Sequence, residues 1–415
     1  MMRVLWFEIT PPCRFVNKNE VLGGWQDSLE RIVRKQKEIN LSIAFCVDSP
    51  TSNRQIDNVN YIPMCIKYNI CESFKKRFSW HVEEQKIIKY AKNIIDSVKP
   101  DVIHVFGTEW PYALVAQLTD VPVVVHIQGI IAQYDNANLP PNYSYADLIR
   151  YAGLNLRKQA SLFVNRILMK DRLRMEMCIW NKVSFYMGRT DWDKCLSNLL
   201  HPDRAYYHVD EAIRGEFLSP KRLWVPNSKK LKLFSTGCTT FWKGPDMMLK
   251  VAVILKNLGV DFEWNVAGRM NDEVKKVTEK KIGHSFKNAG INILGFITPK
   301  ELTEYLCSCS VYVHTAYVEN SPNSICEAQL LGVPVVSTNV GGISSLVKHG
   351  VTGLLSPSND PWMMVSNILE VFNNKSLAEM FSKESRMAAN YRHDDDRIGI
   401  QLLNSYKDII LKQQL

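Results

Sequence analysis

Short apolar runs alternate along this chain with longer stretches in which apolar residues recur every three or four positions. The first kind reads as buried strand and the second as amphipathic helix. In the amino-terminal half the pattern predicts strands over 4–9, 41–47, 100–107 and 122–129. A helix follows Gly23-Gly24-Trp25, with Leu29, Ile32 and Val33 on one face and Arg31, Arg34, Lys35 and Lys37 on the other. Residues 66–98 read as a loop and a long basic helix, and 150–182 as a basic helical stretch. In the carboxy-terminal half strands are predicted over 231–235, 262–268, 291–295, 311–315 and 333–337. Helices are predicted over 246–258 and 324–331 and through the tail, 376–412. Strands alternating with helices argue for parallel sheets, in which ligands bind beyond the carboxyl ends of the strands.

The stretch 317–342 concentrates the candidate chemistry. Glu319 and Glu327 enclose Ser321-Pro322-Asn323-Ser324, which reads as a helix start, and Gly332 ends that helix. A helix N-terminus between two carboxylates suits a ligand with both phosphate and hydroxyl groups. An ordinary helix with two exposed glutamates is the competing reading. A second strand–glycine loop–helix unit, Gly237 to Gly244, sets Lys243 where it would meet phosphate as a point charge. The Gly23-Gly24 turn serves either a ligand's approach to backbone or a tight turn. Glu109 and Gln128-Gly129 fall at predicted strand ends. Asp191 and Asp193 form an Asp-x-Asp pair without further ligands for Mg2+, so no metal site is expected.

Length and charge add bounds. At 415 residues the chain predicts two domains, divided as 1–225 and 226–390 with a terminal helix over 391–415. It is 46% hydrophobic and 22% charged, as a globular protein should be. A formal charge of +9 fits an anionic ligand or an anionic membrane surface. The ten cysteines contain no C-x-x-C pair and point to a reducing compartment. Glu8 interrupts the first apolar run, against a signal peptide, and no apolar run is long enough for a membrane span. The expected location is cytoplasmic. The basic stretches at 66–98 and 150–182 add the expectation of a peripheral position on the cytoplasmic face of the inner membrane, with an amphipathic helix covering the sheet as the competing reading of 150–182.

The Glu319…Glu327 stretch resembles the E-x7-E motif of retaining glycosyltransferases of family 4, which have the GT-B fold. Other features come in that family's order: Gly23-Gly24, the strand at 100–104, Gly237…Lys243-Gly244, Ala267-Gly268, Leu294-Gly295, Gly332–Val336, Gly341-Gly342 and Val351–Leu355. Glu-Asn-Ser-Pro-Asn-Ser-Ile-Cys-Glu-Ala and Gly-Arg-Thr-Asp-Trp-Asp are similar to bacterial members that build surface polysaccharides. The resemblance implies two Rossmann-like domains facing a cleft, with the C-terminal helix returning to the first. It implies a nucleotide-diphosphate sugar held by Glu327 at the ribose, by Glu319 at the sugar, and by Lys243 and the turn Ser321-Pro322-Asn323-Ser324, through its free amides, at the diphosphate. Gly23, Gly24 and Gly237 join the donor side, and Glu109 and Arg189 the acceptor side.

Two departures stand out. The position of the family's diphosphate-binding Arg is Cys238, with Arg269 as a substitute. The family's sugar-site His falls at Gln128, and His126 lies two residues earlier; either fills the role, or this subfamily does without a base.

The expected function is transfer of a hexose, with retention, from a nucleotide sugar to a glycan or lipid-linked glycan in capsular, exo- or lipopolysaccharide synthesis. No cofactor or metal and no nucleic acid is expected. A nucleotide-sugar 2-epimerase of the same fold and a non-catalytic glycan-binding protein on a decayed transferase scaffold are the alternatives. Neither half has the G-x-G-x-x-G turn of a nicotinamide dehydrogenase.

Overall fold

The computed structural model describes residues 1–16, 23–226 and 230–414. They form two compact units. The first contains Met1–Asp135, Leu156–Ala212 and Asp394–Leu415; the second contains Asn136–Asn155 and Ile213–His393.

The first unit is built on an eight-stranded sheet. Its strands are β1 (Met2–Glu8), β2 (Ile39–Cys46), β3 (Arg54–Ile56), β4 (Val59–Met64), β5 (Val102–Phe106), β6 (Val123–His126), β7 (Phe185–Gly188) and β8 (Ala205–His208). They lie in the order β3-β4-β2-β1-β5-β6-β7-β8, and every pairing is parallel except β3 with β4. Strands β1, β5 and β6 are almost wholly buried, because helices cover both sheet faces. The second unit has β9 (Leu231–Thr236), β10 (Phe262–Ala267), β11 (Ile291–Gly295), β12 (Val311–His314), β13 (Val335–Thr338) and β14 (Leu354–Ser356). Its sheet is wholly parallel, in the order β11-β10-β9-β12-β13-β14. The order reverses between β1 and β5 in one sheet and between β9 and β12 in the other. Adjacent strands there send their crossovers in opposite directions and leave a crevice at their carboxyl ends.

Strands β3, β4, β7, β8 and β14 have no counterpart among the predicted elements. Three are short edge strands, with little apolar run to announce them. The predicted division at 225/226 differs from the structure, which changes unit at 212/213. Ile213, Phe217 and Trp224 are buried in the core of the second unit, and Trp224 Nε1 donates to the Cys309 carbonyl at 2.7 Å. Residues 223–230 read from sequence as a linker; the structure instead buries Trp224 in the second unit, and 227–229 lie outside the described residues.

The stretch 150–182 is two helices in two units. Tyr145–Ala152 ends at Gly153, whose φ of +56° stops it, and Leu156–Lys182 starts afresh. The first packs on the helix Asp272–Ile282, where Lys281 Nζ reaches Asp147 at 3.1 Å. The predicted tail helix is likewise broken, into Lys375–Arg392 and Asp395–Gln413. Asp394 caps the second, its Oδ1 accepting the Arg397 N–H at 2.8 Å.

That last helix belongs to the first unit. Ile398, Leu402, Tyr406 and Ile409 are buried in one cluster with Trp6, Leu29 and Ile32. Arg31 pairs with Asp395, and Arg397 with Asp210 at 2.6 Å. The buried Tyr406 hydroxyl accepts a hydrogen bond from Trp6 Nε1–H at 2.9 Å and lies 2.6 Å from His104 Nδ1. Replacing Tyr406 with Phe therefore strands two buried polar groups. Chemical denaturation of Tyr406→Phe is expected to show a loss of about 1–3 kcal/mol.

Candidate functional site

The crevice of the second unit collects most of the predicted donor residues. Strand β9 ends at Thr236 and passes through Gly237, at φ +71°, into a loop whose last turn is Phe241–Lys243. Strand β12 ends at His314 and passes directly into Glu319. The two loops are tied together. Tyr317 N–H donates to the Trp242 carbonyl at 2.7 Å, and Thr315 Oγ1 to the Lys243 carbonyl at 3.0 Å. Gly244 sits at φ +69° so close that a Cβ would lie 1.9 Å from the Thr315 carbonyl oxygen. Only glycine fits that approach. The Tyr317 hydroxyl donates to Asp246 at 2.9 Å, and Lys250 pairs with the same carboxylate at 2.8 Å.

This framework brings Lys243 Nζ onto Glu319 Oε1. His314 Nε2 stands 3.7 Å from the same oxygen. Burial lowers the His314 pKa to about 4, and the charge on Lys243 adds to that, so the ring is neutral near pH 7. On the far side, Gly341 at φ +53° backs onto the Glu319 carbonyl, which accepts the Gly342 N–H at 3.0 Å. Both ends of the Glu319 residue are thus held.

The helix predicted over 324–331 spans Asn323–Leu331 and ends at Gly332 in the left-handed region. Pro322 is its N-cap and makes no side-chain cap. The first amides of such a helix have no carbonyl partners within it, the general feature by which helix N-termini suit anions. Ser324 bonds to the buried Tyr312, whose hydroxyl lies 2.8 Å from Thr236 Oγ1. One turn on, Glu327 is buried and meets Arg214, with Nε at 3.0 Å and Nη2 also on Oε1. The reading of two exposed glutamates is overturned: Glu319 and Glu327 are 5% and 2% exposed.

The substitutions are placed as well. Cys238 is wholly buried in the apolar core, and burial pushes its thiol up to about 12. This position does not turn toward the crevice. Arg269 follows Gly268 at the end of β10, is exposed, and has no ion-pair partner among the described residues. Gly268 abuts Gly237, a Cβ on it lying 3.5 Å from the Gly237 nitrogen.

In the first unit Glu109, Gln128 and Arg189 gather beyond the ends of β5, β6 and β7. Glu109 fits its carboxylate against Gly107 and Gly129, where a Cβ on either glycine would collide with it. Burial raises the Glu109 pKa to about 7, and the nearby Glu176 adds to this against the opposing Arg172 and Arg189. Arg189, expected on the acceptor side, is instead buried at 5% exposure and internally engaged. It pairs with Glu211 at 2.8 Å, donates to the carbonyls of Ile127 at 3.2 Å and Gln128 at 3.4 Å, and covers the Trp25 ring at 4.7 Å. It holds the Gln128 loop. His126 is wholly buried against Trp25 and His104, and burial depresses its pKa well below the usual value. Of the two alternatives, only Gln128 keeps exposed surface. Gly24 N–H donates to Asp27 Oδ2 at 3.1 Å, and a Cβ at Gly23 would collide with Asp27. Both glycines shape the cap of the helix Trp25–Val33. Asp193 accepts the Arg189 N–H at 2.8 Å, which makes it a cap as well. No cluster of three His, Cys, Asp or Glu suited to a metal occurs among the described residues.

Sequence reasoning missed Arg214, His314, Arg172 and Glu176. The last is buried and caps the helix Ile131–Asn136, accepting the Ile131 and Ala132 amides at 2.7 and 3.0 Å. A glutamate within a helical run carries no local sign of such a role.

Comparison with known structures defines the class first. The chain superposes on Anabaena HepE in complex with UDP and glucose with a TM-score of 0.66 at 15% identity, covering 98% of this chain and 100% of that one. The fold is GT-B, with two Rossmann-like parallel-sheet domains. Residues 221–388 match the family model for glycosyl transferases group 1, so the second unit carries a glycosyltransferase group 1 domain. Similar curated proteins include the 2-deoxystreptamine N-acetyl-D-glucosaminyltransferase of Niallia circulans, 28% identical over 43% of this chain. The amylovoran biosynthesis glycosyltransferase AmsK of Erwinia amylovora is 26% identical over 34% of it. The chain spans 45% and 36% of the lengths of these two relatives.

A carboxyl whose pKa is raised in the folded state contributes stability at low pH and loses it as pH rises through the folded value. For Glu109 the window runs from about 4.5 to about 7. Thermal unfolding of Glu109→Gln and the parent at pH 5, 6, 7 and 8 is expected to show the variant gaining relative stability as pH rises.

Proposed function

We propose that the chain is a retaining glycosyltransferase that moves a hexose from a nucleotide-diphosphate sugar to a glycan or lipid-linked glycan in surface-polysaccharide synthesis. The observation that carries this reading is the convergence at one crevice of a group 1 domain: Lys243 on Glu319, and the N-terminus of the helix that bears Glu327. In this reading Glu327 accepts hydrogen bonds from the ribose hydroxyls and Glu319 from the sugar. The diphosphate lies on the amides at 321–324, with Lys243 and Arg269 supplying positive charge. As the glycosidic bond breaks, negative charge grows on the leaving diphosphate. Fixed amides and a lysine stabilise it without reorganising, so this chemistry calls for no metal or cofactor. The acceptor hydroxyl attacks from the face the diphosphate leaves, and the departing phosphate takes its proton. Gln128 offers an amide to sugar hydroxyls but cannot titrate, which agrees with a reaction that needs no side-chain base.

The amylovoran relative supports a polysaccharide product, and the HepE complex with UDP and glucose supports a uridine donor. Thermal shifts against UDP- and GDP-sugars are expected to single out one donor. Glu327→Ala is expected to lose nucleotide binding by about 10- to 100-fold, and Glu319→Gln to bind UDP or GDP yet transfer little sugar. Normal transfer by Glu327→Ala would overturn the ribose assignment.

A cytoplasmic protein resting on the inner membrane is the accompanying proposal. No helix among the described residues is long and apolar enough to cross a bilayer. Ile70, Phe74 and Phe78 are 92%, 62% and 47% exposed among Lys75, Lys76 and Arg77, a composition that suits an anionic lipid surface. Flotation is expected with anionic liposomes at low salt and to weaken at high salt. Absence of binding at either salt would remove the proposal.

A further inference from the structure

Arg214 lies outside the stretch that matches the group 1 model, which begins at residue 221. It nonetheless belongs to the second unit. The segment that carries it is anchored at several points. Ile213 and Phe217 are buried in that unit's core, and the Arg214 guanidinium lies over the Phe217 ring at 5.2 Å. Downstream, Trp224 N–H donates to the Leu331 carbonyl at 3.0 Å, at the end of the helix that bears Glu327. Leu331 and Glu327 lie one turn apart on that helix, so the strap and the glutamate are mutually registered.

The bond itself is specific. Nε at 3.0 Å and Nη2 both converge on Oε1 of Glu327. A flexible lysine presents one rotating donor head, whereas two donors of one planar guanidinium set the carboxylate's direction. Glu327 is 2% exposed, and a carboxylate there without a cation would lose its charge or turn toward water.

We infer that Arg214 is a positioning residue for ribose recognition: it keeps Glu327 charged and aimed so that its carboxylate accepts the hydroxyls of a nucleoside diphosphate. This rests on the reading of Glu327 as the ribose acceptor. It also assigns part of the nucleotide site to a strap before the domain's first strand. A purely structural Arg214 would affect all ligands alike. A positioning Arg214 acts on the ribose hydroxyls, so its removal falls on ribonucleotides and spares 2′-deoxy analogues.

Calorimetric titration of the full chain with UDP against 2′-deoxy-UDP, and GDP against 2′-deoxy-GDP, tests this. The parent is expected to prefer the ribose form by about tenfold or more. Arg214→Met is expected to bring the ratio near one, as Glu327→Gln does, with Arg214→Lys between. The ratio is internal to each sample, so a partly misfolded variant lowers binding stoichiometry without changing it. A parent that binds neither diphosphate, or does not discriminate, overturns the Glu327 reading and this inference with it. A parent and Glu327→Gln that behave as expected, beside an Arg214→Met that keeps the full ratio, overturn the role of Arg214 alone.

Discussion

Two carboxylates buried at the mouth of a parallel sheet each need a cation, and that requirement shapes the second unit. Glu319 is met by Lys243 and Glu327 by Arg214. A buried carboxylate left alone would protonate or pull its loop toward water. The loop after β9 must therefore approach the loop after β12 closely enough for the lysine to arrive. Gly244 and Gly341, both at positive φ, permit the backbone contacts that make this approach. A diphosphate held by Lys243, as proposed, would compete with Glu319 for the same ammonium.

The first unit solves a related problem differently. Its crevice also gathers carboxylates, but Arg189 and Glu176 are consumed in holding loops. Arg189 spans Glu211, the carbonyls after β6 and the Trp25 ring, which ties three separate segments into one surface. Glu109 is left as the carboxyl whose pKa burial raises to about 7. A group poised there carries its proton at slightly acid pH and releases it at slightly alkaline pH.

Much of the second unit's crevice was legible because its signals are local. The helix from Asn323 to Leu331 announces itself with proline at the start and glycine at the stop. The first unit's crevice was read less well. Arg189 looks in sequence like a candidate for ligand contact, and only its burial reveals an internal clamp. His126 and Gln128 cannot be ranked by strand alternation, since both share a face. Burial against Trp25 and His104 separates them.

By itself the sequence determined what depends on neighbours along the chain: the strand–helix alternation, the helix caps, the glycine turns and the pair of glutamates with the proline between them. Tertiary structure decided what depends on residues far apart in sequence. Arg214 meets Glu327 across 113 positions, and Tyr406 reaches Trp6 across 400. It also decided that 136–155 packs with the second unit and that the last helix belongs to the first. No local propensity encodes such choices. They follow from which apolar faces can be buried together and from where each buried charge finds its partner.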